Sequence, residues 1–396
     1  MNNIDFIVKK NTKKSNLNIS RDQVYTYHYS NKTSVFSGIT LRDMIEHTNY
    51  VSAHHRQSVP IQYQFSHKNI KIADKLTYIL TECFFYDLIV NKHRNIRIFF
   101  EPENDITTNG IFTSALTHLS VYYDKKKFQE SFENVFNVHD RHLRKIFRLS
   151  SNVKDEYYLS KVFKEIEMFL NAFNFNDVSI AMLAEVCIEL IENSLTHAES
   201  DCLIDIDITD IHDKYTGEKK QEGSYYGINI VVLNFSNKIL PFDVEKKFKE
   251  EDINKNVAEA DILKYQSIEK AYEVHQPNFN ENYKEAFFWC FAAMQKGISG
   301  RSHADIGGGT GLYVLLSALI DKSEMVNCYM ITGKSFIAFN SDVLFEKEGF
   351  IAFNKEKDFI NHMPDEDIMK ECAIYMPGTA YNLNFVMKDE GDLQYG

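Results

Sequence analysis

Glu185, Glu189, Asn193 and His197 recur at every fourth position in AEVCIELIENSLTHAES (184–200). On a helix that spacing stacks two carboxylates, an amide and an imidazole into one polar ridge, while the other positions are largely apolar. Polar groups gathered on one ridge of an otherwise apolar helix are candidates for chemistry. The same spacing also describes a solvated helix face with i,i+4 pairs, and this stretch alone leaves both readings open. A second cluster, GISGRSHADIGGGTGL (297–312), runs three consecutive glycines into Thr310, Gly311 and an apolar helix. Backbone N–H groups at such a helix start, beside the positive end of the dipole, form an anion site. A glycine hinge before a core helix is the plain alternative. The cluster is neither a Walker A loop, since no lysine follows the last glycine, nor a dinucleotide fingerprint after a strand.

The elements that must position these residues can be read from periodicity. Tyr158, Val162, Phe163, Ile166, Phe169, Leu170 and Phe173 predict a helix over about 156–173 with one broad apolar face. NDVS (176–179) caps the start of a second helix, which runs to about Ala198. LIDIDITD (203–210) and YYGINIVVLNF (225–235) read as strands, followed by a polar helical section (243–296). The glycine cluster and the helix YVLLSALI come next, and the strands MVNCYMIT, KSFIAFN and AYNLNF close the chain. Nearer the N-terminus, VPIQYQFS (59–66), a helix at about 72–92 and NIRIFFEP (95–102) give strand, helix, strand, a small α/β unit with a right-handed crossover.

Composition narrows the class. The chain of 396 residues carries 44 Lys and Arg against 56 Asp and Glu, a net charge of −12. That balance is unsuited to nonspecific nucleic-acid binding, which needs a basic surface. No apolar run approaches the ~18 residues that span a bilayer, and MNNIDFIVKKNTKKSN lacks the apolar core of a signal peptide. A cytoplasmic protein with no membrane partner is expected. The six cysteines form no CxxC pair and sit mostly in apolar stretches, so buried free thiols are expected rather than a zinc site. His54–His55, the only adjacent histidine pair, reads as surface rather than metal-binding.

Taken in order, the motifs of residues 155–390 resemble the GHKL ATPase superfamily of gyrase, heat-shock chaperone, histidine kinase and mismatch-repair ATPases. ELIENSLTHA is similar to that family's first box. The resemblance implies that Asn193 holds Mg²⁺ between the phosphates of ATP, that Glu189 orients or deprotonates the attacking water, and that His197 lies near the phosphates or the lid. GGGTGL (307–312) is similar to the family's lid-hinge box, giving Gly309, Thr310 and Gly311 phosphate contacts, with Gly308 and Leu312 in the same box. MPGTAYNLNF (376–385) resembles the closing element and puts Thr379 beside the adenine. One box departs: where the family has Asp-x-Gly-x-Gly, LNFSNKIL (233–240) has Asn234, Ser236 and Lys238. The Asn234 side-chain oxygen can still accept from the adenine amine, without charge. Lys238, Arg301 and Lys296 are basic candidates for phosphate contact, Arg301 foremost for the γ-phosphate; a plain surface role is the alternative for each.

The expected fold is therefore α/β, with a smaller N-terminal α/β domain and an α+β two-layer sandwich of the Bergerat type. The expected divisions are a flexible tail at 1–20, an N-terminal regulatory or interaction module of faint STAS-like character at 21–150, and an ATP-binding domain at 151–390 with a lid at 240–306. About ten residues follow the closing strand, so no transducer of the gyrase kind is expected in this chain. HDRHLRKIF (139–147) faintly resembles a phospho-acceptor box around His139, though an ordinary helix-surface histidine is the simpler reading. The function expected is a slowly hydrolysing Mg-ATP switch that acts on a protein partner or a second copy. The alternatives are a protein kinase of the anti-sigma or histidine-kinase type, and a scaffold that binds partners without nucleotide.

Overall fold

Ile61, Tyr63 and Phe65 alternate along one strand and all three are buried, as a period of two requires of a strand packed on one side. The computed structural model that contains it describes residues 18–19, 25–29, 35–56, 58–65, 69–100, 105–107, 114–120, 124–155, 157–210, 225–250, 262–298, 311–322 and 328–391. In chain order the N-terminal part carries β1 (Asn18–Ile19), β2 (Tyr25–Tyr29), β3 (Val35–Phe36), α1 (Gly38–His54), β4 (Ile61–Phe65), β5 (Asn69–Ile72) and α2 (Lys75–Tyr86). A π-helical turn, Asp87–Asn91, continues α2 and leads to β6 (Ile96–Phe100), β7 (Asp105–Thr107), α3 (Thr117–Ser120) and α4 (Lys125–Glu133). Strands β2, β4 and β6 pair in parallel, with β1 antiparallel at the edge, and β3, β5 and β7 form a second parallel sheet. The strand–helix–strand unit predicted from 59–102 is present.

The rest of the chain carries β8 (Asn134–Asn137), β9 (His142–Phe147), α5 (Leu149–Lys154), α6 (Tyr158–Leu170), α7 (Asp177–Glu192), a second π-helical turn (Asn193–His197), β10 (Cys202–Asp210) and β11 (Tyr225–Asn234). It continues with α8 (Leu240–Glu250), α9 (Ile262–His275), α10 (Glu285–Ala293), α11 (Gly311–Lys322), β12 (Tyr329–Ala338), β13 (Leu344–Lys347), β14 (Phe350–Phe353) and β15 (Met369–Lys388). Six of these strands make one antiparallel sheet in the order β12-β15-β11-β10-β9-β8. The protein is thus mixed α/β with several sheets.

Alternation along β10 decides how the layers stack. Ile204, Ile206 and Ile208 join Ile228, Ile230 and Val232 of β11 in a core shared with Leu183, Cys187 and Leu190 of α7, Phe291 of α10 and Leu315 of α11. The intervening residues turn the other way. Leu203, Val231, Leu233, Met376 and Ala380 belong to the core of the N-terminal part, together with Leu41 of α1 and Ile79 and Phe85 of α2. Helix α2 is therefore covered on all sides, and each of its twelve residues is buried. That is why KLTYILTECFFY has no solvent-facing side, its polar Lys75 and Glu82 being buried too. Asp74 caps its start, accepting the Thr77 N–H at 2.7 Å.

Four features differ from the sequence expectations. Strands β8 and β9 precede the expected boundary at residue 150 yet belong to the larger sheet. His139, expected on a helix, stands exposed in the turn between them. MVNCYMIT and KSFIAFN contribute to a single strand, β12, whose register against β15 shifts around Gly333; Gly333 has φ +55°, which a glycine adopts without strain. Finally, the segment expected as a lid (240–306) is not one exposed flap. Tyr265, Ile268, Phe288, Trp289 and Phe291 from α9 and α10 lie in the main core, so among the described residues this stretch is packed body. Residues 251–261 and 299–306 of that lid fall outside the described residues.

Candidate functional site

The predicted polar ridge stands on α7. Asn176 accepts the Ser179 N–H at 2.9 Å and starts the helix, while Leu183, Ala184, Cys187, Leu190 and Ile191 anchor it in the core. Glu185 is left exposed, and Glu189, Asn193 and His197 are half-buried. The helix does not continue as α through the ridge. From Asn193 it widens into the π turn, in which Ala198 donates to the Asn193 carbonyl five residues back at 3.0 Å. The added residue per turn changes the direction in which His197 leaves the axis, so its side chain departs from the straight i,i+4 line. No hydrogen bond or ion pair with the Glu189 carboxylate or the Asn193 amide occurs among the described residues. Desolvation first, then the neighbouring Glu192 and Glu185, raise the Glu189 pKa above the usual carboxylate range. A carboxyl held this way is a better base than a solvated one.

A knot of polar contacts joins the end of this helix to two other motifs. The Asn234 side-chain oxygen accepts the Thr379 N–H at 2.7 Å. The Ser236 N–H donates to the Pro377 carbonyl at 3.1 Å, and the Ser236 hydroxyl donates to the Ala198 carbonyl at 2.7 Å. Between them Gly378 has φ +106°, and a Cβ there would lie 2.5 Å from the Asn234 carbonyl oxygen. Glycine is the residue this crossing requires. Thr332 of β12 completes the knot, with its hydroxyl donating to the Gly378 carbonyl at 2.9 Å and lying 3.2 Å from the Thr379 hydroxyl. Thr332 is invisible to sequence reasoning, because it is one threonine in an apolar strand and only the β12–β15 register brings it to Thr379.

The structure thus brings Asn234 and Thr379 into contact and ties Ser236 to the end of the ridge helix. Lys238 is directed elsewhere: its ammonium pairs with Glu199 at 2.8 Å, both side chains being well exposed, and such a pair contributes little to stability. Arg301, Gly308, Gly309 and Thr310 lie outside the described residues. Gly311 opens α11, which packs directly against α7. The Leu312 side chain is buried in the main core, so only its backbone is available to a ligand. Lys296 is exposed and places its ammonium 4.9 Å from the centre of the Tyr313 ring on the same helix start.

Another charged cluster was not foreseen. His142, Asp205 and Asp207 are buried, with potential ligand atoms within 4.8 Å of one another, and they face α2 across the sheet. The Lys75 ammonium lies 2.6 Å from both Asp205 Oδ1 and Asp207 Oδ2, and donates to the Asp205 and Asn229 carbonyls at 3.2 and 3.0 Å. Arg144 bonds Asp205 through Nε and meets Glu82 at 2.7 Å. The place a metal cation would take between the two aspartates is thus held by Lys75, and the donor set does not fit a metal centre. Desolvation pushes Asp205 up, but Arg144, Lys75 and His142 outweigh it and hold its carboxyl well below the usual range. Asp207 is pushed up to about 6, by burial first and by Asp205 despite Lys75. Its Oδ1 has no hydrogen-bond partner.

The remaining expectations resolve simply. All six cysteines are free, and all but Cys372 are buried. His54 is exposed and bonds the Tyr50 carbonyl at 2.8 Å; among the described residues neither it nor His55 belongs to a group that could hold a metal. No described helix is long and apolar enough to cross a membrane. Compared with models of known protein families, with curated proteins and with solved structures, the chain matches none.

Proposed function

We propose that this protein is a GHKL-type ATP-binding protein that hydrolyses Mg-ATP slowly and serves as a nucleotide-driven switch on a protein partner or a second copy. The observation that carries this reading is the half-buried Glu189–Asn193 ridge, without a partner among the described residues, on a helix packed against the helix that begins at Gly311. The donor set suits the ligand. Asn193 offers an amide oxygen to Mg²⁺, and Glu189, with its raised pKa, would take the proton of an attacking water. Bound Mg-ATP would supply the γ-phosphoryl group, which water would take as inorganic phosphate with ADP leaving. Asn234 and Thr379, joined to the end of the same helix through Ser236 and Ala198, would form the adenine end. The second lone pair of the Asn234 side-chain oxygen remains for an exocyclic amine.

Melting temperature with and without Mg-ATP tests the binding half. At ~100 times its Kd the nucleotide should add about 2.7 kcal/mol of stability, and Asn193→Ala should weaken that response. No shift in the wild type would sink the reading. Radiolabelled ATP then separates hydrolysis from the kinase alternative, since a kinase leaves label on protein and an ATPase releases it as free phosphate.

One observation favours the scaffold alternative. Asn234 already uses its side-chain oxygen on the Thr379 backbone, and Lys238 is paired with Glu199, so this end of the motif set is self-satisfied. A scaffold would bind its partner equally well with or without nucleotide.

A further inference from the structure

A cavity of about 340 Å³ lies in the N-terminal part, between α1 and the π turn that ends α2. Thr48, Asn49 and Ser52 line one side, and Asn91, Lys92 and Arg94 line the other. Arg94 is the odd member. It is only 8% exposed, and its one side-chain hydrogen bond runs from Nη1 to the Arg56 carbonyl at 3.3 Å. Among the described residues no carboxylate pairs with it. Two other guanidinia show the contrast: Arg144 has Asp205 and Glu82, and Arg148 has Asp201 at 3.0 Å and Glu133 at 3.5 Å. Asp87 also lines the cavity, but Lys92 holds it at 2.7 Å and Asn91 donates to it at 3.2 Å. The electrostatics agree. Desolvation lowers the Arg94 pKa and only Tyr63 opposes it, whereas for Arg144 desolvation is outweighed by Asp205 and Glu82 and the pKa rises.

A guanidinium at a cavity wall with no carboxylate of its own among the described residues keeps donors to offer, and its planar fork matches an oxyanion in bidentate fashion. Thr48 is already committed, with its hydroxyl bonded to the Met44 carbonyl and to Tyr63; Asn49 and Ser52 add polar groups at the wall. We propose that this cavity binds the oxyanion head of a small organic acid, a carboxylate or a phosphate, on Arg94. Its volume sits at the small end of ligand pockets, roughly 300–1,000 Å³, which suits a headgroup with few attached atoms. The site is separate from the α7 ridge and does not depend on the ATPase reading.

The test uses the full chain. Melting temperature and calorimetric titration are recorded with inorganic phosphate and, separately, with acetate, each against sodium chloride at matched ionic strength. At least one oxyanion should raise the wild-type melting temperature saturably, by about 2–4 °C near saturation, and the arm that responds identifies the headgroup. Arg94→Gln should abolish the response, and Arg148→Gln, which removes a guanidinium that already has carboxylates, should retain it. Should Arg94→Gln not fold, Ser52→Glu, which brings a carboxylate into the same cavity, should fold and fail to respond. The proposal is overturned if neither oxyanion exceeds chloride in the wild type, or if the response persists in Arg94→Gln or Ser52→Glu.

Discussion

Thr379 donates its backbone N–H to the side-chain oxygen of Asn234 at 2.7 Å, joining residues 145 apart in sequence. Both partners are pinned: Asn234 is 2% exposed at the end of β11, and the chain reaches Thr379 through the left-handed Gly378. Asn234→Ala should leave the Thr379 N–H without its acceptor and cost about 1–3 kcal/mol in urea unfolding. Asn234→Asp keeps the acceptor but places a charge at a nearly buried position, so it should lose some stability as well. Under the ATPase reading it should also bind Mg-ATP more tightly than wild type, and equal or weaker binding would count against an adenine role for Asn234.

Gly378→Ala should be among the most damaging small substitutions in the chain. A Cβ would meet the Asn234 carbonyl at 2.5 Å, its side-chain oxygen at 2.7 Å and the Ser236 nitrogen at 2.9 Å, and φ +106° is itself strained for alanine. A loss of about 2 kcal/mol or more is expected. Gly349 has φ +81° but open space around it, so Gly349→Ala should cost less, which isolates the crowding.

Glu189→Gln should lower phosphate release about 100-fold or more while nucleotide affinity stays near wild type. Since the base must be ionised and its pKa is raised, turnover should fall as pH drops through that raised value. Unchanged turnover in Glu189→Gln would remove Glu189 from the mechanism.

Stability should depend on pH through Asp207. Its folded pKa of about 6 exceeds the ~3.9 of an unfolded aspartate, so the folded state binds this proton more tightly. The contribution is complete below about pH 4 and is lost as pH rises through 6, on the order of 2 kcal/mol. Asp205 shifts the other way; its opposite slope is confined to below about pH 5 and is shared by wild type and Asp207→Asn. The wild type should therefore lose stability relative to Asp207→Asn between pH 4 and pH 7, and parallel curves would refute the assignment.

Lys75→Met should cost about 3–5 kcal/mol by leaving Asp205 and Asp207 buried without their shared cation. Because Lys75 takes the position a metal would need, EDTA should leave the wild-type melting temperature unchanged. A drop on chelation would mean that His142, Asp205 and Asp207 hold an ion.

How far the sequence could be read depended on whether the signal was local. The ridge helix, its Asn176 cap, the apolar strand β11 and the β4–α2–β6 unit were legible, because periodicity and capping act within a few residues. LIDIDITD was legible as a strand, but the alternation carries no sign that Asp205 and Asp207 are buried; that depends on Arg144, His142 and Lys75, the last 130 positions upstream of Asp205. β9 was missed because His142 and Arg144, which face α2 and are buried, are polar and mask the alternation. Within the segment expected as a lid, the aromatic density of FFWC (287–290) is the local signal that goes with interior packing, and all four residues lie in the main core. Thr332 and the unpaired Arg94 carry no local signature at all, since both are defined by what other segments place beside them.

Because α2 is enclosed by strands from both halves, the molecule has no natural cutting point at residue 150. A fragment beginning there would lack β8 and β9, bare Leu203, Val231, Leu233 and Met376, and strand Asp205 and Asp207 without Lys75. Expression of the C-terminal half alone should therefore yield inclusion bodies, and dissection of this protein must proceed by point substitution.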